Sequence, residues 1–135
     1  MSARLKKDSI DLGIVTRNPE TMLAFYRDRL GFNLEGEMPM AGGGNMLRLM
    51  CGTSMIKLVT PGKLADVDAP PGGIGGATGY RYFTMSVSNL DEVTQECTES
   101  GSSVAVPVTE IRPGVRISIV TDPDGNWVEF VQYAD

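Results

Sequence analysis

The sequence predicts an α+β domain made of two βαβββ modules, and three observations predict it. Strand-like alternation and helix-like spacing occur twice in the same order. The two passes are in step: Tyr82 follows Asp11 by 71 positions, Asn89 follows Asn18 by 71, and Glu129 follows Lys57 by 72. Between them lies 61–79, a stretch with Pro70, Pro71 and several glycines but few large apolar side chains. A repeat of this size implies modules related by a pseudo-two-fold, each with a mixed sheet curved around a cleft. The expected organisation is one domain over 1–135, with module 1 at about 9–60, a linker or mobile loop at 61–79, and module 2 at about 80–132.

Each element has its own reason. In 10–16, Ile10, Leu12 and Ile14 alternate with Asp11 and Gly13, as in a half-buried strand. Asn18-Pro19 opens a helix, with Asn18 as N-cap and Pro19 at the first helical position; Leu23, Tyr26 and Leu30 recur at helical spacing, and Gly31 ends it. A strand over 32–37 follows, then the flexible turn Gly42-Gly43-Gly44, then a hairpin of 46–50 and 55–60 around Gly52-Thr53. The second pass reads as a strand over 82–88, a helix opened by Asn89 and closed at Gly101, and a short strand over 104–108. A closing hairpin, 116–121 and 127–132, turns at Asp122-Pro-Asp-Gly-Asn126. In its last strand Glu129 shares a face with Trp127 and Val131, an unusual place for a carboxylate.

Composition excludes several classes. The chain has 135 residues, 41% of them hydrophobic and 21% charged, as in an ordinary globular protein. A net charge of −5, with Lys6-Lys7 the only adjacent basic pair, argues against nucleic acid as a partner. No apolar run is long enough for a transmembrane helix, and 1–8 reads as a short solvated leader without a secretory signal, so the expected location is the cytoplasm. Cys51 and Cys97 are expected to be reduced thiols, and Cys51 has no activating partner. There is no histidine, so chemistry must run on carboxylates, Lys, Tyr, Cys or backbone groups. Two further patterns carry no function. The glycines of 73–79 precede a strand and lack the Gly-Lys-Ser/Thr of a phosphate loop, and the 122–126 turn has Tyr133 where a calcium loop needs Glu.

The stretches Asp11-Leu-Gly-Ile-Val15, Leu23-Ala-Phe-Tyr-Arg-Asp-Arg-Leu-Gly-Phe32 and Asp122-Pro-Asp-Gly-Asn-Trp-Val-Glu-Phe-Val-Gln132 resemble the vicinal oxygen chelate superfamily. That group includes glyoxalase I, bleomycin-resistance proteins, methylmalonyl-CoA epimerase and extradiol dioxygenases. The resemblance spans about 9–132 and is specific to the superfamily, not to one activity. In its metal-dependent members a ligand stands on the first and last strand of each module, which here places Asp11, Lys57, Tyr82 and Glu129. Only Glu129 matches the usual residue type, and Lys57 offers an ammonium where a ligand is needed. The expectation is therefore no metal and no cofactor, with Lys57 pairing one or both carboxylates in a shared cleft.

Alternation adds Met55 and Val59 beside Lys57, Tyr80 and Thr84 beside Tyr82, Trp127 beside Glu129, and Met46, Arg48 and Met50 on the third strand. The expected ligand-binding set is Asp11, Arg48, Met55, Lys57, Tyr82, Trp127 and Glu129, with Trp127 stacking on a flat ligand. The expected function is that of a metal-free protein similar to bleomycin-resistance proteins, sequestering a small, partly aromatic molecule. The alternative is a glyoxalase-like lyase, isomerase or epimerase acting beside a carbonyl, with Glu129 or Asp11 as a base whose pKa is raised by burial and neighbouring charge. The resemblance also implies a homodimer, since clefts in this superfamily are often completed by two chains.

Overall fold

The alternating segment Asp11-Leu-Gly-Ile-Val forms the first strand, β1 (Asp11–Val15), in the computed structural model, which describes residues 2–135. Pro19 then starts α1 (Pro19–Leu23), where its fixed φ suits the first turn and its missing N–H costs nothing. The helix does not stay α throughout. Ala24–Arg29 widens into a π-helical turn, in which the Leu30 N–H reaches the Phe25 carbonyl at 3.0 Å. Gly31, at φ +81°, then turns the chain out so that the Phe32 N–H meets the Tyr26 carbonyl at 3.0 Å.

Three antiparallel strands follow: β2 (Asn33–Pro39), β3 (Gly44–Cys51) and β4 (Ser54–Pro61). The sheet order is β1-β4-β3-β2, with β1 parallel to β4. Gly52, at φ +59°, takes the first central position of the β3–β4 turn, as a type II′ hairpin requires. Leu47, Leu49, Ile56 and Leu58 alternate to one face and are buried, as are Met22, Phe25 and Tyr26 of the helix. Phe25 and Tyr26 meet edge-on at 4.9 Å between ring centres.

The same plan recurs from Asp68 onward, where the chain forms a second compact unit. Its strands are β5 (Tyr82–Ser86), β6 (Val104–Arg112), β7 (Val115–Thr121) and β8 (Trp127–Tyr133), in the order β5-β8-β7-β6 with β5 parallel to β8. The registers show why one offset is 71 and the other 72: Gly13 pairs with Lys57, and Thr84, 71 positions on, pairs with Glu129. The helix α2 (Leu90–Glu99) lies over the face carrying the buried Val120, Val128 and Phe130. A buried polar contact with that face is satisfied locally: Thr94 Oγ1 and Ser118 Oγ share a hydrogen bond of 2.7 Å, and the Thr94 hydroxyl also reaches the Leu90 carbonyl. Among the described residues, no helix is long and apolar enough to cross a membrane.

The structure adds to or departs from the sequence expectations at several places. Asn89 was expected to cap α2, but its side chain makes no cap bond; the Leu90 N–H is instead satisfied by Gln132 Oε1 of β8 at 2.9 Å. The short strand expected at 104–108 extends to Arg112, with three register shifts against β7. It tolerates Pro107 because it lies at the sheet edge, where a missing N–H breaks no ladder. Residues 2–8 are exposed, as a solvated leader implies, but Lys7 among them is tied to β1 by a hydrogen bond to Asp11. Finally, part of the Gly/Pro stretch is packed. Gly73–Gly75 form a 3₁₀ turn, Gly73 is buried, and the Arg81 guanidinium holds the carbonyls of Gly73 and Pro70, each at 2.7 Å.

Candidate functional site

Each unit has one sheet face covered by its helix and one that is not, and the candidate residues fall on the latter. In the first unit the β1–β4–β3 register sets Asp11 opposite Met55, and Lys57 between Gly13 and Arg48. Asp11, Lys57, Arg48 and Met55 therefore share a face, as alternation predicts. Met55 is buried, while the Asp11, Lys57 and Arg48 side chains are 31%, 35% and 32% exposed.

The ionic arrangement differs from the expected one. Asp11 is held chiefly by Lys7, whose Nζ donates to Oδ1 at 2.6 Å; Lys57 Nζ stands 4.0 Å from Oδ2, an ion pair without a hydrogen bond. The Lys7 hydrogen bond, with Lys7 and Lys57 charge behind it, holds the Asp11 carboxyl below its ordinary 3.8 despite a smaller opposing effect of burial. The expectation that a carboxyl pKa is raised here fails for Asp11, because cations surround it where low dielectric and excess negative charge were anticipated. The sign follows: a lowered folded-state value means the contact favours the folded chain above pH 3.8 and is lost as pH falls through the folded value. Lys7→Met is expected to move the Asp11 midpoint up toward 3.8, read by NMR titration of the carboxyl carbon.

In the second unit Tyr82 stands opposite Trp127, and Thr84 opposite Glu129. The Thr84 hydroxyl donates to Glu129 Oε1 at 2.6 Å. Thr84 thus does for Glu129 what Gly13, lacking a side chain at the matching position, cannot do in the first unit. The Tyr82 side chain is 49% exposed, whereas Tyr80 precedes β5 and is fully exposed, outside the alternation assigned to it. Trp127 has an occupant already: a Cβ built on Gly73 would fall inside van der Waals contact with ring atoms Cε2, Cδ2 and Cζ2. The Gly73 backbone therefore lies over the six-membered ring, and at most the other ring face is open to a ligand.

Neither set suits a divalent ion. Asp11 faces two ammonium groups, Lys57 offers only donors, Tyr82 brings a phenol, and the remaining carboxylate, Glu129, accepts from Thr84. Among the described residues, no group of three or more His, Cys, Asp or Glu side chains is placed to hold a metal. Cys51 and Cys97 form no disulfide, and burial pushes the Cys51 thiol above its ordinary value, away from the nucleophilic thiolate.

Sequence reasoning missed Lys7, Gly73 and Arg81. Lys7 lies in a charged run that resembles any solvated end, and Gly73 lies where glycine reads as a break. The one available signal was Arg81, a lone cation directly before a strand and after a segment rich in carbonyls without N–H partners.

The fold is shared by many solved structures. A glyoxalase family protein from Bacillus cereus matches at TM-score 0.84 and 19% identity, over 100% of both chains. TioX from Micromonospora sp. matches at 0.71 and 20% identity, over 94% of this chain and 99% of its own. A glyoxalase I mutant from Zea mays matches at 0.76 and 18% identity, with 93% of this chain covering 44% of that one. No curated protein matches the sequence. A family model for the Glyoxalase/Bleomycin resistance protein/Dioxygenase superfamily matches residues 9–130, nearly the whole chain. With that match and the twice-repeated βαβββ topology, the chain belongs to the glyoxalase/bleomycin resistance protein/dioxygenase superfamily.

Proposed function

We propose that this protein binds and sequesters a small, partly aromatic molecule without a resident metal, as a cytoplasmic homodimer similar to bleomycin-resistance proteins. The observation that carries the reading is the state of Asp11. A general base needs a carboxyl poised near the working pH, and Asp11 is instead held ionised by Lys7 and Lys57. The half-exposed faces around it and around Glu129 also carry methionines and aromatic groups, which suit adaptable apolar contact.

A second reading rests on Glu129. Its Oε1 accepts from Thr84, while Oε2 has no hydrogen-bond partner among the described residues. That oxygen is available as a base in a lyase, isomerase or epimerase acting next to a carbonyl, with Tyr82 of the same sheet face stabilising an enolate.

Glu129→Gln separates the two. In a sequestering protein it weakens binding by less than about tenfold, the effect of losing one modest polar contact. In an enzyme it removes the base and lowers turnover by roughly a hundredfold or more. The ligand is first identified as an adduct by native mass spectrometry, which also reads dimer against monomer and any bound metal. Exchange of the ligand's C–H beside a carbonyl with deuterated water is then followed in wild type and variant. Exchange in wild type that vanishes in Glu129→Gln refutes sequestration; a stoichiometric divalent metal refutes the metal-free part.

A further inference from the structure

Resting on the ligand-binding reading above, we propose that the ligand is an organic oxyanion, with its charged group held between Lys57 and Arg48 and its apolar body on the surrounding methionines.

The starting point is a like-charge pair. Lys57 of β4 and Arg48 of β3 are register partners on antiparallel strands, so two cations stand directly opposite each other. Such pairs are destabilising. Both side chains are about two-thirds buried, yet neither forms a hydrogen bond among the described residues: Lys57 is 4.0 Å from Asp11 and Arg48 is 3.8 Å from Glu35. Other arginines behave differently. Arg116 is doubly hydrogen-bonded to Asp91 at 3.0 Å, Arg27 is bonded to Asp28, and Arg81 holds backbone carbonyls. Lys57 and Arg48 thus keep their donors for something outside the chain.

The carboxylates nearby do not neutralise them. Asp11 is already hydrogen-bonded to Lys7, so this face carries Lys7, Lys57 and Arg48 against Asp11 and Glu35, in a chain whose net charge is −5. An oxyanion between Lys57 and Arg48 turns their repulsion into attraction and meets the guanidinium fork with paired oxygens. Room exists beside it: Gly13, the register partner of Lys57 on the other side, would have no atom within 4 Å of a Cβ. Met46 and Met50 flank Arg48 along β3, and Met55 and Val59 flank Lys57 along β4. A free inorganic ion has no use for such a surround; an anion on an aromatic or aliphatic body does.

The test uses two dyes that differ in one group. Anilinonaphthalene sulfonate carries an oxyanion, and N-phenylnaphthylamine is its uncharged parent; both brighten when bound. The sulfonate is expected to bind wild-type protein at least about tenfold more tightly. Lys57→Met should abolish that preference, bringing the affinity for the sulfonate down to that for the neutral dye, and Arg48→Met should do the same. If Arg48→Met fails to fold, Lys57→Met and the weakening of sulfonate binding by added salt carry the test. Competition with benzoate and with phenyl phosphate then tells a carboxylate source from a phosphate source. Equal affinity for the two dyes, or a sulfonate preference that survives Lys57→Met, overturns the oxyanion proposal while leaving ligand binding intact. Binding of neither dye overturns both.

Discussion

Gly73→Ala is expected to destabilise the second unit by on the order of 3 kcal/mol and to change the emission of Trp127, the only tryptophan. Two costs combine. Gly73 sits at φ +54°, where an L side chain costs about 1–2 kcal/mol. A Cβ there also overlaps Trp127 ring atoms, and forcing atoms into an occupied space typically costs about 1–3 kcal/mol. The indole must move off, or the turn must lift and pull its carbonyl from Arg81. Either exposes the ring, so emission shifts to the red and iodide quenching increases. Gly75→Ala is the control: it has no positive φ and no neighbour within 4 Å of a Cβ, so stability should stay within about 0.5 kcal/mol of wild type. Urea denaturation followed by circular dichroism measures both. If Gly73→Ala unfolds at the same urea concentration as Gly75→Ala with unchanged emission, the turn does not pack on Trp127.

That contact also marks where sequence reasoning ended. Alternation alone put Glu129, Trp127 and Val131 on one face, because a period of two is fixed by the strand backbone, whereas Asp11 was set beside Lys57 by the family resemblance. The repeat offset was legible for the same reason. Matching strands carry matching periodicity, and Gly13–Lys57 and Thr84–Glu129 prove to be equivalent register pairs. What remained hidden depends on distant partners or on backbone without side-chain pattern. Gln132 caps a helix 42 positions earlier in sequence, a pairing set by where β8 ends and not by any local motif. Gly72 to Gly76 have no alternation to read, and the reason for Gly73, a ring pressed on its Cα, appears only in three dimensions. Widening of the first helix at Ala24–Arg29 likewise leaves Leu23, Tyr26 and Leu30 apolar, as an unbroken α-helix would. Lys7 illustrates the electrostatic case: its charge was visible, but its partner had been assigned to Lys57 by family position alone.

Asp122→Ala is expected to cost about 3 kcal/mol, on the scale of leaving two backbone donors and a side-chain amide without their buried acceptor. Asp122 is only 3% exposed, at the turn between β7 and β8. Its Oδ1 accepts from the backbone N–H groups of Asp124 and Asn126 at 2.9 and 3.0 Å, and its Oδ2 accepts from Asn126 Nδ2 at 2.9 Å. Backbone bonds close the same turn, Asp122 N–H to the Asn126 carbonyl at 2.8 Å and Gly125 N–H to the Asp122 carbonyl at 2.9 Å. The question is which set holds it. Truncating the carboxylate leaves the Asp124 and Asn126 N–H groups without that acceptor, and the loss reaches Trp127, the next residue, whose place opposite Tyr82 depends on the register β8 inherits from this turn. Asp122→Asn keeps Oδ1 for both backbone donors and replaces the Oδ2 acceptor with a donor, so it should fall between, at about 1–2 kcal/mol. Urea unfolding midpoints should therefore rank wild type above Asp122→Asn above Asp122→Ala. If Asp122→Ala matches wild type, the backbone bonds suffice and the carboxylate is no part of what sets the Glu129 strand in register.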